Sequence, residues 1–314
     1  MTDSVSKCFV GIDVSKDKMD VYVIPHNKTW TVENGDFKTL IKQLNKYRPY
    51  LIVLEPTGGY EIGLYNALMG AGFKVSREHP YKIHHHAKGM GKLAKTDRID
   101  AGVIAHYAQC YYEEIELTRA TNQQLLLSDL VSRRSQLIKI QSGEKNRLEK
   151  KGYSIDIQRS IKRVLKGIDK EIERVDKEIK ELIDTDEELK HRQQTIQTIM
   201  GIGNRVSTII VAKLPELGKV SRKKIAALVG VAPYNKDSGK LKKPQRTMGG
   251  RFEVRSALFM SVLSAIRHDD RFRSYYETLI ARGKKKKVAI VACIHKMVRI
   301  LNAMLANNQS YKTA

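Results

Sequence analysis

Between residues 161 and 182 the apolar side chains Ile161, Leu165, Ile168, Ile172, Val175, Ile179 and Leu182 recur at a 4-3-4-3-4-3 spacing. That period buries one stripe of an α-helix against another helix and is incompatible with the two-residue alternation of a strand. At 1.5 Å per residue the stretch is about 33 Å long. From Asn122 to Leu189 the chain has no proline, and glycine only at 143, 152 and 167. Upstream of the seam Leu127, Leu130, Leu137, Ile140 and Leu148 also fall at helical spacing. Gly152-Tyr153-Ser154 interrupts the two runs, so the expectation over residues 116–190 is a long antiparallel coiled-coil hairpin. Its flanks, as in DKEIERVDKEIKEL, mix Lys and Glu and read as solvated faces. A seam on two long helices leaves apolar surface for a second copy to cover, so a homo-oligomer is expected.

The hairpin divides the chain into an N-terminal part, 1–115, and a C-terminal part, 191–314. The first part begins with Lys7–Val14, Lys18–Ile24 and Thr29–Val32, a three-stranded antiparallel start. Phe37–Tyr47 follows as a helix, Leu51–Leu54 as a short apolar strand, Gly58–Ala71 as a helix and Phe73–Ser76 as a strand. Tyr81–Gly91 reads as helix or loop, and Thr96–Tyr112 as a helix with Thr96 as N-cap. This order resembles the layout of a ribonuclease-H-like α/β domain. The C-terminal part is mostly helical.

Acids stand at the ends of these elements. Asp13 closes the first strand, Glu55 follows LIVL, and Asp97 and Asp100 open the last helix at i and i+3, on one face. With the first and fourth strands as neighbours, four carboxylates converge. Clustered carboxylates repel one another unless a cation lies between them, and hard oxygen donors suit Mg²⁺ or Mn²⁺. Such ions serve phosphodiester chemistry. Read singly, Asp13 is also a turn residue and Asp97 an acid favoured by the helix dipole.

The partner is indicated by charge. The chain has 57 Lys+Arg against 34 Asp+Glu, a formal net charge of +23. A polyanion is the natural partner, nucleic acid before a membrane surface, and 41% hydrophobic content excludes a wholly disordered chain. Residues 236–300 hold 17 Lys+Arg and 5 Asp+Glu, about half of the net surplus in about a fifth of the chain. Ser238, between Asp237 and Gly239, lies in a non-periodic loop among Lys240, Lys242, Lys243, Arg246, Arg251 and Arg255. These cations suit phosphate. Lys284, Lys285, Lys286 and Lys287 precede the amphipathic helix Val288–Leu305, where they oppose the helix dipole but suit a phosphate backbone. Gly201 and Gly203, in TIQTIMGIG, read as a helix-hairpin-helix turn whose backbone amides approach a phosphate, or as a tight helix–helix turn.

His84-His85-His86 has no Cys or acid nearby at ligand spacing and consecutive residues share no helix face, so an exposed or nucleic-acid-facing patch is expected rather than a zinc site. Cys8, Cys110 and Cys293 lie far apart and support neither a disulfide framework nor a zinc ribbon. The N-terminus lacks a signal-peptide layout and no apolar run approaches about 18 residues, so a cytoplasmic protein with no membrane partner is expected.

The blocks GIDVSKDKMDV, LEPTGGY and AKTDRIDA resemble those of the DEDD insertion-sequence transposases, recombinases with a Holliday-junction-resolvase-like domain that include the pilin-gene DNA invertases. The resemblance implies that Asp13, Glu55, Asp97 and Asp100 are the metal-binding acids. The C-terminal block, with DSG and Gly249–Met260 (GGRFEVRSALFM), is similar to the serine domain of the same family. It implies Ser238 as the nucleophile of a phosphoserine intermediate, with DNA as substrate, a guiding non-coding RNA, a dimer or tetramer, and a bacterial, nucleoid-associated setting. The stretch after Gly239, Lys240-Leu241-Lys242-Lys243-Pro244, is more basic than the family's usual glycine and small polar residues. A junction endonuclease or DNA invertase without RNA guidance is the alternative.

Overall fold

The structure is a computed structural model and describes residues 7–56, 58–78, 80–91, 97–115, 121–150, 152–234 and 246–311. The chain divides into two compact units, Met1–Arg119 and Ala120–Ala314.

In the first unit β1 (Phe9–Val14), β2 (Lys18–Ile24) and β3 (Lys28–Glu33) are followed by α1 (Phe37–Asn45), β4 (Leu51–Leu54), α2 (Glu61–Gly70), β5 (Val75–Arg77), α3 (Pro80–Gly89) and α4 (Asp97–Tyr111). Among the described residues five strands form one sheet in the order β3-β2-β1-β4-β5. β1, β2 and β3 pair antiparallel, whereas β4 runs parallel to β1 and to β5. The fully buried LIVL of β4 explains its interior place, since a strand covered on both faces carries no polar side chain. Two of these elements begin later than their sequence signals suggest. Gly58 and Gly59 have positive φ, and the Gly59 N–H donates to the Glu61 carboxylate at 3.1 Å, so α2 starts at Glu61 rather than Gly58. Phe73 N–H donates to the Leu68 carbonyl and closes that helix, which delays β5 to Val75.

Helix α4 lies directly on the sheet at Gly11. A Cβ there would sit 2.2 Å from the Ala105 nitrogen and 2.3 Å from the Ala101 oxygen, so only glycine lets helix and strand backbones meet. Phe9, Leu51 and Val53 from the sheet pack with Ile83 of α3 and with Val103, Ile104, Tyr107 and Ala108 of α4.

The second unit is helical: α5 (Asn122–Leu148), α6 (Ile155–Thr185), α7 (Glu187–Gln197), α8 (Asn204–Lys213), α9 (Arg222–Val229), a short ribbon of β6 (Pro233–Tyr234) and β7 (Arg246–Thr247), then α10 (Phe252–His268), α11 (Asp270–Ala281) and α12 (Lys286–Ala306). Arg134 bonds to Asp176 and Gln141 to Asp169. These pairs step in opposite directions along the chain, so α5 and α6 run antiparallel. Ile161, Leu165, Ile172, Val175 and Ile179 are buried as the spacing predicts, with Ile168 partly buried. At the end of the helix the buried residue is Ile183, with Leu182 half-buried. A straight helix has 3.6 residues per turn, not 3.5, so the stripe drifts by one position over several turns. One core joins Leu127, Val131 and Ile179 to residues of α7 through α12, including Ile196, Phe272 and Met297.

Contrary to the expectation that no apolar run nears membrane length, α12 is long and apolar enough by length and composition to cross a membrane. Its buried residues, among them Cys293, Ile294, Met297, Val298 and Leu301, belong to the unit's core. That burial accounts for its hydropathy.

Candidate catalytic site

The parallel register pairs Ile12 with Leu54. Asp13 and Glu55 are therefore the next residues on two adjacent strands, which lie about 4.8 Å apart. Side chains alternate across a sheet, so Asp13 shares a face with Gly11 and Glu55 with Val53. Gly11 and Val53 both lie under α4. Ala101, whose carbonyl meets Gly11, follows Asp100 directly. Three of the four predicted acids are thus brought to one end of the sheet, on one face, and all three are half-buried. Asp97 is the first residue of α4.

A further acid, missed in the sequence, belongs to this edge. The antiparallel register sets Asp20 of β2 opposite Asp13, and opposite residues share a face with Cβ atoms about 5 Å apart. Asp20 is buried, accepts a hydrogen bond from Thr31 Oγ1 at 2.5 Å and pairs with Lys18 at 3.2 Å. The signal for it was the tight turn at Ser15–Lys18, closed by the Ser15 N–H on the Lys18 carbonyl. That turn dictates that 14 pairs with 19 and 13 with 20. On the other flank Glu78 follows β5. It is buried and held by Ser76 Oγ at 3.0 Å, Lys82 Nζ at 2.7 Å and the Tyr107 hydroxyl at 3.4 Å. Burial and this carboxylate push the Tyr107 hydroxyl far above the ordinary tyrosine value, so it stays a donor.

The oxygen-only donor set fits a hard divalent cation. Asp13, Glu55 and Asp100 stand at one end of the sheet, where a cation would offset their mutual repulsion, and the charge of neighbouring Asp20 is already met by Lys18.

In the second unit the predicted phosphate-binding groups divide. Ser238, Lys240, Lys242 and Lys243 lie outside the described residues. The β6–β7 ribbon pairs Tyr234 with Arg246 and so brings together the two ends of the segment that carries them. Arg246 is exposed beside it. Arg251 and Arg255, by contrast, bond inward. Arg251 grips both Glu216 carboxylate oxygens at 2.5 Å and the Lys213 carbonyl at 2.8 Å. Arg255 Nη1 donates to the carbonyls of Gly249 at 2.5 Å and Val229 at 3.2 Å, and its guanidinium lies over the Phe252 ring. The two arginines clamp the chain on either side of the ribbon. Gly201 has φ +91, and a Cβ would lie 2.5 Å from the Ser261 carbonyl of α10, so its packing accounts for the glycine. Gly203 is the exposed N-cap of α8, with no side-chain cap. Lys284 to Lys287 are all exposed where α12 begins.

The histidine triplet lies on α3. His84 and His85 are exposed as expected, but His86 turns inward, where His106 and Cys110 of α4 meet it. The sequence reading found no such partners because they stand 20 and 24 residues away and reach His86 only through helix packing.

Two family models match the chain: a transposase model of the DEDD type over residues 10–151, and one described as the transposase IS116/IS110/IS902 family over residues 193–277. The chain belongs to the IS110 family of transposases. The first match contains Asp13, Glu55, Asp97 and Asp100, and the second contains Ser238. The chain is 29% identical to the pilin gene-inverting proteins of Moraxella bovis and Moraxella lacunata, over 98% of this chain and 98% of each relative. A 98-residue stretch is 34% identical to an insertion element IS900 uncharacterized 42 kDa protein of Mycobacterium paratuberculosis, covering 30% of this chain and 24% of that one. Family membership makes the chain a DNA-cleaving and rejoining enzyme.

Proposed function

We propose that this chain is the recombinase of an insertion sequence or invertible segment, that it joins DNA through a phosphoserine on Ser238, and that Asp13, Glu55, Asp97 and Asp100 hold Mg²⁺ or Mn²⁺. The observation that carries this reading is the register that sets Asp13 beside Glu55 under the N-terminal end of α4, in a chain whose two halves match one transposase family. The first unit is then a ribonuclease-H-like domain, 1–115; the antiparallel helices of 116–190 are a coiled-coil hairpin for oligomerisation; and 191–314 is the serine domain.

When bound, a hard divalent cation supplies charge to the phosphate and acidifies an oxygen placed on it. The chain's own groups do the rest. The acids position that charge, and Lys18 and Lys82 hold the flanking carboxylates of Asp20 and Glu78 in place. Ser238 Oγ attacks phosphorus, its proton passes to a base, and the P–O bond to the departing strand breaks as that strand's hydroxyl is protonated. One phosphodiester replaces another, so rejoining needs no outside energy. Arg251 and Arg255 fix the base of the Ser238 segment, and the lysines beyond it hold DNA. Ile140, Val164, Ile155 and Ile157 are exposed toward the far end of the helical pair, and they support its covering by a second copy. The setting is the cytoplasm, beside the nucleoid, with DNA and a guiding RNA as partners.

A second reading, inversion without RNA guidance, is favoured by the full-length likeness to pilin gene-inverting proteins. The test is recombination of paired DNA substrates by wild type, Ser238→Ala and Asp13→Ala. Loss in both variants, with a wild-type covalent protein–DNA adduct, is expected. Cleavage that survives Ser238→Ala assigns the attack to water. Sequencing RNA from protein purified without nuclease separates the guided reading, which gives one discrete species, from the unguided one, which gives random fragments.

A further inference from the structure

Helix α4 carries a second set of metal-type donors, far from the acids. His106 and Cys110 are at i and i+4 and share one helix face. His86 reaches them from α3. His86 Nε2 lies 2.9 Å from His106 Nδ1, and Cys110 Sγ lies 3.6 Å from that same nitrogen. All three ligand atoms fall within 4.8 Å of one another.

We propose that His86, His106 and Cys110 form a second metal site, which takes a zinc-class divalent cation through two imidazole nitrogens and a thiolate and leaves its fourth position open to solvent.

The geometry supports this over a hydrogen-bonded cluster. A ring nitrogen has one lone pair or one N–H. The Cys110 sulfur stands 3.6 Å from Nδ1 and 3.9 Å from Nε2 of His106, so a proton shared by His86 and His106 leaves the thiol only long contacts to that ring. An ion in place of the proton satisfies all three groups. A tetrahedral ion with metal–nitrogen bonds of about 2.0–2.1 Å and a metal–sulfur bond of about 2.3 Å sets N···N near about 3.3 Å and N···S near about 3.6 Å. The sulfur is already at that distance from His106 Nδ1 and lies within 4.8 Å of the His86 nitrogen, so the rings need to part by a few tenths of an ångström and the thiol to swing toward His86 by at most about 1.2 Å. Tyr107 and Tyr111 each hold the His86 ring edge-on at 5.5 Å and so fix its plane. Cys110 is the exposed one of the three cysteines, whereas Cys8 and Cys293 are buried; the open position therefore faces solvent. As the metal–sulfur bond forms, the thiol proton goes to water.

The site is separate from the acids. On α4 Asp100 stands six residues from His106 and ten from Cys110, about 9 Å and about 15 Å along the axis. The donors differ as well: nitrogen and sulfur select a borderline-soft ion, carboxylates a hard one. An ion here would tie α3 to α4, the helices that flank the segment leading to Asp97.

The test uses the full chain, reduced and stripped with chelator, in excess Mg²⁺ to occupy carboxylates. Titration with Co²⁺ is expected to give one equivalent with a thiolate charge-transfer band and intense tetrahedral visible bands, both lost when Zn²⁺ is added. Cys110→Ser removes the charge-transfer band. His86→Ala and His106→Ala each weaken binding at least about 100-fold. Cys8→Ser and Cys293→Ser change nothing. A second measurement needs no substitution: Zn²⁺, but not Mg²⁺, slows alkylation of Cys110 by at least about tenfold, read by peptide mass. A band that persists in Cys110→Ser, only pale octahedral spectra in wild type, or unprotected Cys110 overturns the proposal.

Discussion

The two units place charged groups by opposite means. In residues 1–119 regular elements carry the acids directly: Asp13 and Glu55 end neighbouring strands, and Gly11 admits the helix that begins with Asp97 and Asp100. In residues 120–314 Arg246, next to the Ser238 segment, is exposed, but Arg251 and Arg255 behind it point into the protein and bind carbonyls and Glu216. A sheet edge presents a polar side chain because the strand has ended and the chain must turn. A helical bundle turns the same kind of side chain inward wherever helix termini leave carbonyls unsatisfied. Charge density around a loop therefore counts scaffold and substrate contacts together, and only geometry separates them.

Substitutions can break or sharpen this contrast. The largest effect is expected from Asp13→Ala, which should lower strand transfer by about 10³-fold or more while circular dichroism stays unchanged. Retained activity would remove the sheet edge from the chemistry. Next is Gly11→Ala. With backbone 2.2 Å from the new Cβ, α4 must lift from β1, at a cost of about 3 kcal/mol; denaturant unfolding measures it, and wild-type stability would show that α4 is seated elsewhere. Arg251→Ala should cost about 2 kcal/mol by leaving half-buried Glu216 unpaired, and Arg251→Lys should recover little because a lysine cannot grip both oxygens. The salt dependence of DNA binding should stay unchanged in both; a shallower slope would make Arg251 a phosphate contact. The smallest change in stability, within about 0.5 kcal/mol, is expected when Lys284 to Lys287 are all replaced by Ala. There the slope of log affinity against log salt should fall by up to about 3.6 if each lysine meets one phosphate.

Much of the first unit was legible because its signals are local. KCFVGIDV and LIVL declare strands by composition, and an acid next to last in the first and directly after the second is at the strand end whatever the rest does. The helical seam of residues 161–182 was legible for the same reason, apart from the drift to Ile183 at its end. Asp20 was hidden although its own turn encodes the pairing with Asp13, because its side chain sits in an alternating strand where polar residues ordinarily face water. Arg251 and Arg255 were hidden by chemistry: a guanidinium binds phosphate, carboxylate and carbonyl with the same donors.

By itself the sequence determined which residue types stand at element ends, the period of the long helices and the surplus of positive charge. Each is a property of neighbours within a few residues, which backbone geometry alone converts into structure. Tertiary structure decided the rest: that Asp13 faces Glu55 and Asp20, that two arginines are scaffold, and that His86 meets His106 and Cys110. Those contacts span from 7 to more than 40 residues. They exist only once register and helix packing are set, and a change of one residue in a strand register or one turn in a helix would undo them.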